Sequence, residues 1–307
     1  MMKRAMINTA LGPGMQWLLS TRADLDREAQ CRINTREKTR QHVLEAVEAA
    51  KTKGGAPNMV SAMSEAEDSQ NGKLTAKEIE EEFITLRGAG HETTSNTVSW
   101  VMLLLARNPG VQQKVRAEVE ANVKGRTATY DDSEVLRFCR MTVFEALRLY
   151  PTVPAYPRLS VCPTKLGGYD LPTGSLVAVS QPVLNRSSKL WGDDAEEFKP
   201  ERFDRPGFSL DLVQSKAFGC PGAAVAGKSK GAPPHAFGFV PFGAGRRTCI
   251  GQRLAMMESV QITASIIKNF RIELSEAHHP APEQHVVEVA DISLGPKEGL
   301  FLKLSQW

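Results

Sequence analysis

The 307-residue sequence contains no run of the ~18 to 20 apolar residues that a membrane-spanning helix requires; Val98 to Ala106 comes nearest and is too short. Met1 to Ser20 lacks the continuous apolar centre of a signal peptide, so the chain reads as soluble. Excess charge of one sign is absent too: 38 basic and 35 acidic side chains leave a net +3, which gives no case for nucleic-acid binding. Cysteine is sparse. Cys31, Cys139, Cys162, Cys220 and Cys249 are odd in number, widely spaced and without a Cys-x-x-Cys pair. That pattern argues against a disulfide framework or a zinc site and for a reducing compartment. Gly227-Lys-Ser-Lys-Gly231 lacks the spacing of a phosphate-binding loop, and no flavin or nicotinamide motif is present. No internal repeat or second domain emerges. At 41% hydrophobic and 24% charged, the composition is that of a globular chain long enough for a sizeable core.

Taken in order, the chain predicts a mainly α molecule with small β-sheets. Asp24 to Lys53 reads as a long exposed helix, stopped by Gly54-Gly55-Ala56-Pro57. Thr75-Ala76-Lys77-Glu78 is a capping box, and the helix it opens runs to Arg107, where Asn108-Pro109-Gly110 closes it. Val111 to Val123 and Asp131 to Leu149 predict two more helices. Pro151, Pro154 and Pro157 make 151–158 an extended segment, because they remove donors and push their predecessors out of the helical region. Leu166 to Ser180 suggests a hairpin, Asp204 to Ala236 a long irregular loop and Gln252 to Asn269 a helix. Val286 to Val289 and Leu300 to Leu304 suggest a terminal hairpin around the turn signal 295–299. Lys228 and Lys230 are read as loop residues in solvent, and so are His278, His279 and His285, which lack nearby cysteine or acid partners for a metal.

Three stretches admit a chemical reading. Gly88-Ala89-Gly90-His91-Glu92-Thr93-Thr94 interrupts a long helix with two glycines, each costing ~1 kcal/mol relative to alanine. Either a kink admits a neighbouring helix, or the glycines open the backbone beside a ligand to which Glu92 and Thr93 offer proton donors and acceptors. Glu145 and Arg148 share one helix face, as a surface ion pair or as part of a buried cluster flanked by Phe144, Leu147 and Leu149. Cys249 lies among Gly243, Gly245 and Gly251, beside Arg246 and Arg247 and just before a helix. A buried thiol in such a turn is often inert packing. The same surroundings also suit a metal-binding thiolate, which needs close backbone approach and positive charge.

The order Phe242-x-x-Gly245-x-Arg247-x-Cys249-x-Gly251 resembles the haem-binding loop of the cytochrome P450 family. Residues 89–94 resemble that family's oxygen-activating helix segment, and Glu145-x-x-Arg148 with Phe198-Lys-Pro-Glu-Arg202-Phe resembles its paired signatures. The resemblance implies haem b (iron protoporphyrin IX), with Cys249 as axial iron ligand, Phe242, Arg247 and Gly251 around it, and Arg158 reaching a propionate. It implies a buried Glu145–Arg148–Arg202 network of structural role. It also implies monooxygenation, in which the thiolate pushes electron density towards bound dioxygen and Glu92 and Thr93 deliver protons. Phe83, Ala89, Val153, Ala155, Tyr156 and Leu294 would line the pocket of a lipophilic substrate. Electrons would come from NADPH through cytochrome P450 reductase or a similar separate donor, at the cytosolic face of the endoplasmic reticulum membrane in a full-length protein.

The resemblance covers roughly 24–307 and implies one partial domain. Its parts are upstream helices and loop (24–74), the central helix (75–107), the Glu-x-x-Arg region (131–203), the long loop (204–240), the cysteine loop and following helix (241–270) and a C-terminal hairpin region (271–307). Family members carry a substantial further N-terminal half, so the expected fold is a cytochrome P450 fold lacking that part. Two other readings stand beside catalysis: a truncated, inactive fragment, and a haem-binding interaction module.

Overall fold

The computed structural model describes scattered residues between 37 and 45, together with 59–68, 72–204, 238–276, 286–290, 293–297 and 299–307. Most of the helix expected over 24–53 lies outside these residues, although 37–38, 40–42 and 44–45 are helical. Residues 205–236 of the expected loop, with Lys228 and Lys230, and the three histidines at 278, 279 and 285 also lie outside. The chain divides into two compact units, 1–89 and 90–307.

In the first unit, α1 (Met59–Glu65) precedes a small antiparallel pair, β1 (Glu67–Asp68) with β2 (Gly72–Lys73). The helix α2 (Ala76–Arg107) then starts where the sequence places it. Thr75 N–H and hydroxyl both donate to Glu78 Oε2 at 2.8 Å, while Glu78 N–H donates back to Thr75 Oγ1 at 3.3 Å. Those reciprocal bonds satisfy amides that have no partner inside the helix. Val60 and Ile79 form a small buried pair, with Met63 and Phe83 packed against it.

The second unit holds the main core. From Val101 to Leu105 α2 is buried almost completely, and Asn108 Nδ2 donates to the Leu104 carbonyl at 2.8 Å near its end. Helix α3 (Pro109–Asn122) follows, with proline at a first-turn position whose amide has no helical partner anyway. The single helix expected over 131–149 is instead two, α4 (Asp132–Val135) and α5 (Arg137–Leu149). Leu136 breaks it: its ψ of 67° is non-helical, and its side chain is fully buried. The new start at α5 is capped from another element, because Glu118 on α3 accepts from the Phe138 and Cys139 amides at 2.7 and 2.8 Å.

The expected 166–180 hairpin is also two separate pairings. Strand β3 (Ala155–Leu159) pairs antiparallel with β6 (Leu176–Ser180), and β4 (Thr164–Leu166) pairs with β5 (Tyr169–Leu171) across Gly167-Gly168. Ser160 N–H donates to Ser175 O and Gln181 N–H to Pro154 O, so the even-numbered residues of the first strand carry the ladder bonds. Pro157 therefore has its missing N–H on the outer side, where a strand tolerates it. Short helices α6 (Gln181–Asn185) and α7 (Ser188–Trp191) lead to a 3-10 turn at Pro200–Phe203.

Helix α8 (Gln252–Asn269) matches its expected span and packs Met256, Val260, Ala264 and Ile267 into the core. The C-terminal hairpin joins different partners from those expected. β7 (Phe270–Leu274) pairs with β10 (Leu302–Gln306), and β8 (Glu288–Ala290) with β9 (Leu294–Pro296). Gly295 and Pro296 thus end a strand, and the turn follows directly, with Gly299 N–H donating to Pro296 O at 3.1 Å. The reason for the glycine at 295 is close approach: a Cβ there would come within 2.7 Å of Asn96 Oδ1. Gln112 on α3 joins β7 to α2, donating to Leu105 O and Ile272 O while accepting from Ile272 N.

Candidate active site

Cys249 stands on a loop whose shape follows from its glycines. Gly243 and Gly245 take φ of +73° and +75°, a region that side-chain-bearing residues rarely enter. Gly243 N–H closes a turn on Val240 O, Cys249 N–H returns to Phe242 O at 2.9 Å, and Thr248 donates to Gly245 O from both its amide and its hydroxyl. Two further bonds tie the loop's first arm down: Tyr156 O–H to Pro241 O at 2.7 Å and Gln181 Nε2 to Val240 O at 3.3 Å. Burial pushes the Tyr156 phenol up to about 12, so it remains a donor. The sulfur itself is exposed, and an added Cβ on Gly251 would lie 3.9 Å from it. Cys139 contrasts with it, fully buried in the core, its thiol pushed up by desolvation.

An open cavity of about 170 Å³ brings Cys249 and Arg247 together with Thr93 and Thr94 of α2. Val153, Tyr156 and Phe242, among others, complete a largely apolar lining. Thr94 is 7% exposed, and its Oγ1 is buried with no hydrogen-bond partner. Thr97 Oγ1 donates to Thr93 O at 2.9 Å. Glu92 points elsewhere: its Oε1 accepts from the Ser293 hydroxyl at 2.7 Å. A Cβ on Gly88 or Gly90 would meet nothing within 4 Å, so among the described residues neither glycine serves a close helix contact.

The other expected pocket residues separate. Val153 and Tyr156 line the cavity, whereas Ala155 is exposed on β3. Leu294 is buried outside the lining, its carbonyl accepting from Trp100 Nε1 and its amide donating to Thr152 O. Phe83 and Ala89 belong to the first unit. Arg158 is exposed, with Nη1 on the carbonyl of Pro157. Thr94, Thr152, Met256 and Ser259 line the cavity without having been singled out as site residues. Thr94 alone had a sequence signal, as the second member of the Thr-Thr pair.

Beneath the loop, Glu145 and Arg148 are both fully buried. Arg148 Nε and Nη2 donate to the two Glu145 oxygens at 2.7 Å, Arg202 Nε donates at 3.2 Å and Lys199 N–H at 2.9 Å. Arg148 also donates to the carbonyls of Asn185, Ala195 and Glu197. Arg202 reaches both Asp194 Oδ1, at 2.7 Å, and the Asp194 carbonyl. Phe144, Trp191, Phe203 and Phe239 pack in a tilted and edge-on cluster beside this network, joining it to the start of the cysteine loop.

The cavity offers a thiol, a guanidinium and apolar walls, a donor set that would suit a metal-bearing cofactor with anionic substituents. Among the described residues no group of three His, Cys, Asp or Glu side chains is placed to hold a metal by itself.

The family model described as Cytochrome P450 matches residues 10–302. The chain is similar to carotene epsilon-monooxygenase, chloroplastic, of Arabidopsis thaliana, with 28% identity over 76% of this chain and 39% of that protein. It is 33% identical to a cytokinin hydroxylase of the same plant over 77% of the chain and 40% of that protein. With cytochrome P450 4V2 of Mus musculus it shares 31% identity, covering 78% and 40%. The chain thus spans about two fifths of the length of these curated relatives.

Proposed function

The chain belongs to the cytochrome P450 family, and on that premise we propose that it is the haem-binding and oxygen-activating part of a monooxygenase acting on a lipophilic organic substrate. The observation that carries this reading is one cavity shared by the Cys249 sulfur and the Thr93–Thr94 segment of α2. Haem b bound there would supply dioxygen activation, tuned by a thiolate ligand.

Cys249 would hold the iron, and Arg247 would pair with a carboxylate of the group. Gly251 lies beside the sulfur, and Phe242 gives an apolar wall. Thr93 lines the cavity, and Glu92, one residue earlier on α2, accepts from Ser293 and would be the carboxyl that manages protons. Val153 and Leu147 add apolar surface, which suits a lipophile such as a terpenoid or carotenoid. Arg158, exposed on β3, would turn to a propionate. Electrons would come from NADPH through a separate reductase, with the working protein at the cytosolic face of the endoplasmic reticulum. The chloroplastic name of one relative makes the plastid the competing compartment.

Turnover under isotopically labelled dioxygen tests the reading. With reductase, NADPH and a panel of terpenoids and carotenoids, one labelled oxygen per product is expected. Label arriving from water, or NADPH consumption without oxygenated product across the panel, would count against monooxygenation and for the haem-binding module.

A further inference from the structure

Glu92 is held through Ser293, which Asn96 orients in turn. Its Oε1 accepts from Ser293 Oγ at 2.7 Å, and the same Ser293 oxygen accepts from Asn96 Nδ2 at 2.8 Å. Ser293 is only 3% exposed and stands just before β9. Glu92 and Asn96 are four residues apart, on one face of α2. A serine hydroxyl has one proton to give. With the Asn96 amide occupying an acceptor site on the oxygen, that proton is directed onto the carboxylate.

The hairpin carrying Ser293 is itself fixed. Trp100 Nε1 donates to Leu294 O at 3.0 Å, and Leu294 N–H donates to Thr152 O at 2.7 Å. Gly295 completes the arrangement, because any side chain there would displace the Asn96 amide, which lies within 3 Å of the position a Cβ would take. The contacts therefore form a chain: Trp100 anchors Leu294, Gly295 admits Asn96, Asn96 orients Ser293, and Ser293 holds Glu92.

We propose that Ser293 is a positioning residue, fixing the rotamer that keeps the Glu92 carboxyl out of the cavity lining while its neighbour Thr93 lines it. No bond is made or broken at Ser293; it sets where the acid stands. The functional consequence rests on the oxygenase reading above, since a misplaced acid would deliver protons to the wrong site and release reduced oxygen as peroxide.

The full chain labelled with carboxyl-¹³C glutamate tests the positioning without haem. The Glu92 side-chain signal, identified by its loss in Glu92→Gln, is expected to move in Ser293→Ala and in Asn96→Ala and to return in Ser293→Thr. Gly295→Ala should move it as well. An unmoved signal in Ser293→Ala overturns the proposal; if the serine variant does not fold, an unmoved signal in Asn96→Ala overturns it instead.

With haem loaded and reductase present, Ser293→Ala should raise the peroxide released per NADPH by about tenfold, the size of effect expected when a bond that orients a working group is lost. The reduced carbon monoxide spectrum should stay unchanged, and Ser293→Thr should restore coupling. An unchanged peroxide yield overturns the role. Wild-type protein that takes up no haem strikes the oxygenase reading alone, and the carboxyl signal then decides the proposal.

Discussion

Thr94 places a buried hydroxyl with no partner at the edge of a cavity, a cost of ~1 to 3 kcal/mol that a packed helix would avoid by using valine. Thr94→Val is therefore expected to raise the stability of the haem-free protein by about 1 kcal/mol in urea unfolding. A loss of stability would show that the hydroxyl already has a partner. Asp194 gives a second residue-scale expectation. Hydrogen bonds from Arg202 and then Lys199 hold its carboxyl down to about 2. Its folded value lies below the ordinary one of about 3.9, so its contribution is fully present above about pH 4 and is lost as pH falls towards 2. Asp194→Asn should flatten that part of the stability profile, and an unchanged slope would contradict the assignment.

At the scale of elements, α5 and the segment around Arg202 form one electrostatic unit. Glu145 pairs with two guanidiniums, of which Arg148 is fully buried and Arg202 has Asp194 as a second carboxylate partner. Glu145→Gln keeps the shape and leaves the Arg148 charge uncompensated, with an expected cost of ~3 to 5 kcal/mol in urea unfolding. The exposed pair Lys114–Glu201, although only 2.7 Å apart, should cost less than about 1 kcal/mol when Lys114→Ala removes it. Equal losses in the two variants would mean that burial does not govern these pairs.

The elements legible in the sequence were those decided by neighbours in the chain. Thr75 and Glu78 cap α2 three residues apart, and the Cys249 loop turns on its own glycines. What escaped was decided across the fold. Nothing near Leu136 announces that Glu118, twenty residues earlier than Phe138, will cap a new helix start. Pro157 resembles a strand breaker until β6 supplies a register in which its nitrogen faces outward. Gly295-Pro296 has the composition of a turn, yet the glycine answers to Asn96 on α2. Ser293 left no sequence signal, because its role exists only once β9 lies beside that helix.

At the scale of the whole molecule, the family is shown by the sequence match, and the site remains the proposal drawn from the cavity. The family match spans 10–302, and within 90–307 the fold brings the thiol, the Thr93–Thr94 segment and an apolar wall to one cavity. Among the described residues no helix is long and apolar enough to cross a membrane. The proposed chemistry depends above all on Cys249 holding a haem iron through its sulfur. The reduced, carbon monoxide-bound spectrum of residues 1–307 decides that point. The wild type is expected to show the long-wavelength Soret band of thiolate ligation and Cys249→Ser to lose it; haem uptake with the same band in both proteins, or no uptake by the wild type, would contradict the assignment.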